Sequence, residues 1–251
     1  MIIAKKQYFL TIDTETTQPK HGNENTPGIP AKVADFGAVV SDRKGTILTQ
    51  CATLVHGVYD NPDTPLFFTS SAEGIWSKAG QDFRYTKYND MLEKGIRMLA
   101  TVNAINRWLE KVAATYSPFL TAYNLSFDID KCQNTSIDLT LFPKRFCLWH
   151  ASQQKWGKTK KYRQFVLDTH GFNSPTDLGN MSYKTNAEIM ARFVLGLPNL
   201  ENEPHTALED IIGYELPILN KLLKTVKTSE LLTAKPYHWQ DYQVKDWFKP
   251  A

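Results

Sequence analysis

The chain has 251 residues, 42% of them hydrophobic, and a formal net charge of +3. That suits one α/β domain with insertions, or two small domains, and the near-balanced charge excludes a global field drawing it to nucleic acid, so any basic surface is local. Three cysteines at unrelated spacings argue against a disulfide framework and suit a reducing cytoplasm, the expected location; no apolar run is long enough to span a membrane, and residues 1–7 lack the apolar core of a signal peptide.

Tyr8-Phe9-Leu10-Thr11-Ile12 is an apolar, β-prone run that predicts a buried strand, and it leads into Asp13-Thr14-Glu15-Thr16. Acids two apart on a strand share a face, so Asp13 and Glu15 meet at one point. Buried neighbouring carboxylates repel unless a cation joins them, and Mg²⁺ or Mn²⁺ suits oxygen ligands. Taken alone, the pair reads equally as two solvated acids after the strand has ended.

Residues 18–30, rich in Pro, Gly and Asn, read as a loop. Residues 33–41 and 46–55 read as two further strands around the turn Asp42-Arg43-Lys44-Gly45, which makes an antiparallel meander with the first. Residues 57–81 read as an irregular insertion carrying Phe67, Phe68 and Trp76. Residues 88–116 hold the longest helical pattern, interrupted at Gly95 and ended by Pro118. Phe119 to Tyr123 is a fourth strand, followed by a short helix from Ser126 to Cys132, a mixed apolar stretch at 143–150, a basic segment at 154–163 and a short strand at 165–169. Thr185 and Thr206 each begin a capping box, with Glu188 and Glu209 as partners, and Pro217 predicts a kink in the second helix. The expected organisation is one domain over 1–228 and an aromatic-rich tail over 229–251 (Tyr237, Trp239, Tyr242, Trp247, Phe248) that packs back onto it. No internal repeat or low-complexity segment is present.

Two later pieces complete the first. Asn124-Leu125-Ser126-Phe127-Asp128 places an acid in the first turn of the helix after the fourth strand, where a dipole-stabilising role is the plain alternative. His205 lies five residues before Asp210; with Thr206 as N-cap, the acid sits on a rigid helix and the imidazole on the preceding loop. In this order, D-x-E, N-x-x-F-D and H-x-x-x-x-D resemble the DEDDh family of 3′→5′ exonucleases, of the ribonuclease-H-like superfamily. The resemblance spans Tyr8 to about Leu223, is weakest over 57–81 and 132–169, and departs from compact members in the long interval between Glu15 and Asp128. Thr206, four before Asp210, argues against the DEDDy branch, which has Tyr in that region.

The resemblance implies a mixed five-stranded sheet flanked by helices. It implies two Mg²⁺ or Mn²⁺ ions on Asp13, Glu15, Asp128 and Asp210, with His205 as general base. Phosphodiester hydrolysis from a 3′ end would release nucleoside 5′-monophosphates. Single-stranded DNA is the expected partner; short RNA, or non-catalytic nucleic-acid binding on the same fold, are the alternatives. Substrate contacts are expected from Thr14 and Thr16, from Asn124 (otherwise a helix start) and from Phe127 (otherwise core packing). The basic segment, through Lys158, Lys160 and Lys161 interleaved with Trp156 and Tyr162, is expected to guide the strand, the alternative being a solvated surface. Cys132, Cys147 and His150, with Cys51 or His170, form a weak rival zinc set whose spacing matches no standard motif.

Overall fold

The computed structural model describes residues 6–21, 28–69, 73–173, 180–236 and 238–244, without the Trp239 side chain. Its centre is a six-stranded mixed sheet in the order β4-β3-β2-β1-β5-β6. The meander forms as read: β1 (Tyr8–Thr16), β2 (Val33–Asp42) and β3 (Ile47–Val55) pair antiparallel. β5 (Phe119–Ala122) runs parallel to β1 and β6 (Arg145–Cys147) parallel to β5. The alternation of β1 separates two of the three hydrophobic clusters, the third (Ala34, Leu54, Tyr59, Leu66, Tyr88 and Met91) lying under α1 (Lys78–Glu93). Phe9 faces one cluster, under α4 (Leu148–Ser152), α5 (Lys160–Asp168), α6 (Ala187–Leu195) and α8 (Leu216–Thr225). Leu10 and Ile12 face the other, under α2 (Val102–Tyr116) and α3 (Leu125–Thr135). The fold is thus the mixed sheet flanked by helices that the resemblance implies.

The sixth strand is a correction. β4 (Met98–Ala100) pairs parallel with the end of β3 and exposes Met98 and Leu99. Gly95, at φ 67°, follows the end of α1 (Lys78–Glu93) in the left-handed region. Two residues on, Arg97 is drawn into a buried pair with Asp35, its Nε 3.2 Å from Oδ1, which extends the chain. The strand expected at 165–169 is instead helical, within α5. Thr159 Oγ1 caps that helix by accepting from Tyr162 N, and Tyr162 and Val166, four apart, bury one face. The basic segment is correspondingly a π-turn (Gln153–Gly157) and the first turn of α5, with no long loop. Asn186, one residue later than read, caps α6 by accepting from Ile189 N at 3.3 Å, while Glu188 pairs with Arg192. In the tail, Tyr242 is buried in the first cluster; Tyr237, Trp247 and Phe248 lie outside the described residues.

The late helix is built in three parts: α7 (Ala207–Asp210), a π-turn (Ile211–Glu215) and α8. Pro217 has no N–H to close the regular ladder, and the wider turn lies immediately before it. In an i→i+5 turn Glu215 comes round over Asp210, so both acids face the same way. Gly37 of β2 allows α7 to lie close: a Cβ there would meet Ala207 C and Leu208 N at 2.6 Å.

Candidate active site

A cavity of about 470 Å³ opens at the C-terminal end of β1, lined by Asp13, Glu15, Glu203, His205, Asp210 and Glu215, with Thr14 and Thr16 beside them. The strand continues through both acids of the first motif, so they are built into the sheet instead of trailing after it. Glu15, His205 and Asp210 offer ligand atoms within 4.8 Å of one another, and His205 Nδ1 stands 3.9 Å from Glu15 Oε1. Asp210 Oδ2 accepts from Thr206 N at 3.0 Å, a contact the sequence reading assigned to Glu209; its Oδ1 is buried with no partner among the described residues. Glu209 instead pairs with Arg97, and Asp35 Oδ2 accepts from Ala207 N at 3.0 Å. The buried Asp35–Arg97 pair, extended to the half-buried Glu209, therefore pins the start of α7, and with it Asp210, against β2.

Asp128 does not line the cavity. It stands one layer behind, with Oδ1 accepting from Thr14 Oγ1 at 2.9 Å. Asn124 is the N-cap residue of α3 in a left-handed conformation (φ 75°), makes no side-chain cap, and faces a neighbouring groove. Phe127 is 42% exposed and lines the cavity, so the packing alternative for it is excluded. Lys158 pairs with Asp241 at 2.6 Å, and neither it, Lys160 nor Lys161 lines the cavity. No cysteine belongs to a cluster of potential metal ligands among the described residues, and all three are free.

Asp13 is the electrostatic hub. Burial raises the pKa of every acid here, and the Asp13 charge adds to the rise at Glu15, Asp128, Glu203, Asp210 and Glu215. Asp13 itself is pushed up to about 7 by burial and then by Asp35, Glu203 to about 8 and Asp210 to about 10. His205 moves the other way, down to about 4, through burial and the neighbouring Arg84 and Lys87 charges, so its imidazole is neutral.

The long insertion builds the wall of this site. The Trp76 ring lies 4.6 Å from the His205 ring, and Arg84 lies behind it at 4.7 Å. Arg84 is fully buried, donates Nη2 to Phe67 O, and opposes the rise at Glu15. Lys87 and Tyr88 of α1 donate to Pro204 O and His205 O, holding a loop in which His205 adopts φ 51°. Phe67, Phe127 and Lys131 complete the rim. Trp76, Arg84, Glu203 and Glu215 belong to the site although no motif in the sequence marks them. The spacing Asp210-to-Glu215 is the signal that could have pointed to the last, had the π-turn been anticipated.

No family model matches this sequence, and no curated protein matches it. Similar solved structures do exist. The nuclease domain of 3′hExo, a DEDDh family member bound to rAMP, is 17% identical with a TM-score of 0.43, covering 88% of this chain and 94% of that one. A zinc-bound E. coli exonuclease I–ssDNA complex is 15% identical with a TM-score of 0.46, over 88% of this chain and 41% of that chain, so this chain spans less than half its length. The 3′-exonuclease that recognises a histone mRNA stem-loop is 15% identical with a TM-score of 0.47, over 88% and 64%.

Proposed function

We propose that this chain is a metal-dependent 3′→5′ exonuclease that hydrolyses single-stranded nucleic acid, DNA in preference to RNA, and releases nucleoside 5′-monophosphates. The observation that carries this reading is the meeting of Asp13, Glu15, Asp210 and His205 in one open cavity, with Asp128 held directly behind it. The donor set fits Mg²⁺ or Mn²⁺. It is rich in carboxylate oxygens, it carries mutual repulsion, and Asp210 Oδ1 and Glu215 Oε2 are buried without partners among the described residues. Asp13, Glu15, Asp128 and Asp210 would hold two ions, with Asp128 turning from Thr14 to do so. When bound, such ions supply the positive charge that stabilises the attacking and leaving oxygens.

The remaining work falls to this chain's own groups. His205 is neutral, its Nδ1 faces Glu15, and Nε2 accepts the proton of the attacking water. Trp76 packs on that imidazole and, with Phe67 and Phe127, excludes water and gives the terminal base an apolar wall. Lys131, paired with Asp130 at 2.6 Å, lies at the rim, and Thr14, Thr16 and Asn124 offer hydrogen bonds. A retained but silent binding fold would not need all five chemical groups together. The test is digestion of matched 5′-labelled DNA and RNA single strands with Mg²⁺ and with chelator. A ladder shortening from the 3′ end, faster on DNA and abolished by chelator, is expected. Absence of hydrolysis in every metal tried refutes the activity, and faster RNA digestion refutes the preference.

A further inference from the structure

A second concavity, about 340 Å³, borders the cavity and shares Tyr123 and Asn186 with it. We infer that this groove, walled by Tyr123, Trp149 and Lys184, is the binding subsite for the penultimate nucleotide of the strand, its base stacked on Trp149 and its phosphate met by Lys184. The inference rests on the function proposed above.

Four observations lead there. The groove is lined by no acid, whereas five line the neighbouring cavity, so the two differ sharply in charge. A strand whose terminal phosphodiester lies among metal-binding acids needs its next base and phosphate on a surface of the groove's kind. The aromatic wall is rigid: the rings of Tyr123 and Trp149 stack at 6.4 Å and 29°, and Tyr123 Oη donates to Thr185 O. Trp149 lies in the first turn of α4, directly after β6, and Tyr123 directly follows β5, its partner strand, so the sheet fixes both. Lys184 is held by its backbone, which donates to Gly171 O and accepts from Tyr162 Oη, and its ammonium makes no ion pair among the described residues. That separates it from Lys158, which Asp241 already engages. Asn124 and Asn173 place amide groups at the rim, suited to base edges of any sequence.

The test is a cycle between protein and substrate. KM and kcat are measured in Mg²⁺ for single strands with an intact or an abasic penultimate position, using the unaltered protein, Trp149→Ala, Trp149→Phe and Lys184→Ala. Stacking predicts that loss of the base raises KM by roughly 5- to 150-fold in the unaltered protein, with kcat little changed. In Trp149→Ala the two substrates should have nearly equal KM, and Trp149→Phe should restore most of the difference. Lys184→Ala should flatten the slope of log affinity against log salt by roughly 0.7. Equal KM for both substrates in the unaltered protein overturns the subsite even if Trp149→Ala fails to fold. An undiminished base effect in a folded Trp149→Ala, seen by circular dichroism, overturns it as well. Both results leave hydrolysis intact, whereas failure of the underlying function shows as no hydrolysis of either strand.

Discussion

Gly37→Ala should damage the site without touching any chemical group in it. Gly37 pairs with Asp13 across the sheet, and its added methyl would stand 2.6 Å from Ala207 C and Leu208 N and 2.9 Å from Ala207 Cβ. Ordinary carbon contacts lie near 3.5–4.0 Å, so α7 must retreat by about 1 Å. The neighbours are mostly backbone and cannot rotate away. The retreat strains the Asp35–Ala207 hydrogen bond, 3.0 Å long, and carries Asp210 and the His205 loop with it. Overpacking of this kind costs about 1–3 kcal/mol, which is roughly 2–12 °C in Tm for a domain of this size. A misplacement of about 1 Å in a catalytic group can lower the rate about 10²-fold. Gly213→Ala is the control, since its added methyl meets nothing within 4 Å and should be neutral or slightly stabilising. Release of mononucleotide from a labelled strand and thermal melting, run on both variants, decide the matter. A Gly37→Ala chain with unaltered turnover and Tm would falsify the claim that close packing of α7 on β2 sets the geometry.

Three further predictions concern charge. In chelator, stability should fall as pH rises from about 6.5 to 10, because folded Asp13, Glu203 and Asp210 keep protons up to about 7, 8 and 10 that the unfolded chain has already lost. His205, lowered to about 4, has the opposite sign, but its contribution is complete by about pH 6.5; Mn²⁺ should reverse the fall, Asp210→Ala should reduce it, and a flat Tm across this range contradicts the buried repulsion. His205→Ala should lower turnover by about 10²–10⁴ with little change in Mn²⁺ affinity; loss of Mn²⁺ in a calorimetric titration would make the imidazole a ligand instead. Replacing Lys158, Lys160 and Lys161 together by Ala should flatten the salt dependence of single-strand binding by roughly 0.7 per lost contact if the segment guides the strand. Lys158, already engaged by Asp241, should contribute least, and an unchanged slope would leave the segment as ordinary surface.

What could be read from sequence was local. Asp13 and Glu15 share a strand face by simple alternation, and Asp128 and His205–Asp210 sit at helix starts announced by their neighbours. The six-stranded sheet and the rest of the site depend on contacts distant in sequence. Arg97 lies in a stretch with helical periodicity, yet its burial against Asp35, 62 residues away, makes the adjoining Met98–Ala100 a strand. Trp76 comes from the insertion whose aromatics stood out in the sequence, and Arg84 from the helix after it; their place beside His205 depends on α1 docking against its loop. Glu215 is misplaced by regular helical geometry and comes into line only through the π-turn. Phe127 shows the converse: its apolar character suggested the core, but its position on α3 turns it to the cavity.

The central claim is that the Asp13 cluster uses bound divalent ions to release nucleotides from a 3′ end. A single strand labelled on its 3′-terminal nucleotide, incubated with Mg²⁺ and either the unaltered chain or Asp13→Ala, tests it most directly. Immediate release of labelled 5′-mononucleotide by the first and none by the second is expected, with both folded by circular dichroism. Release by Asp13→Ala at the unaltered rate, or appearance of internal fragments before the labelled mononucleotide, would contradict it.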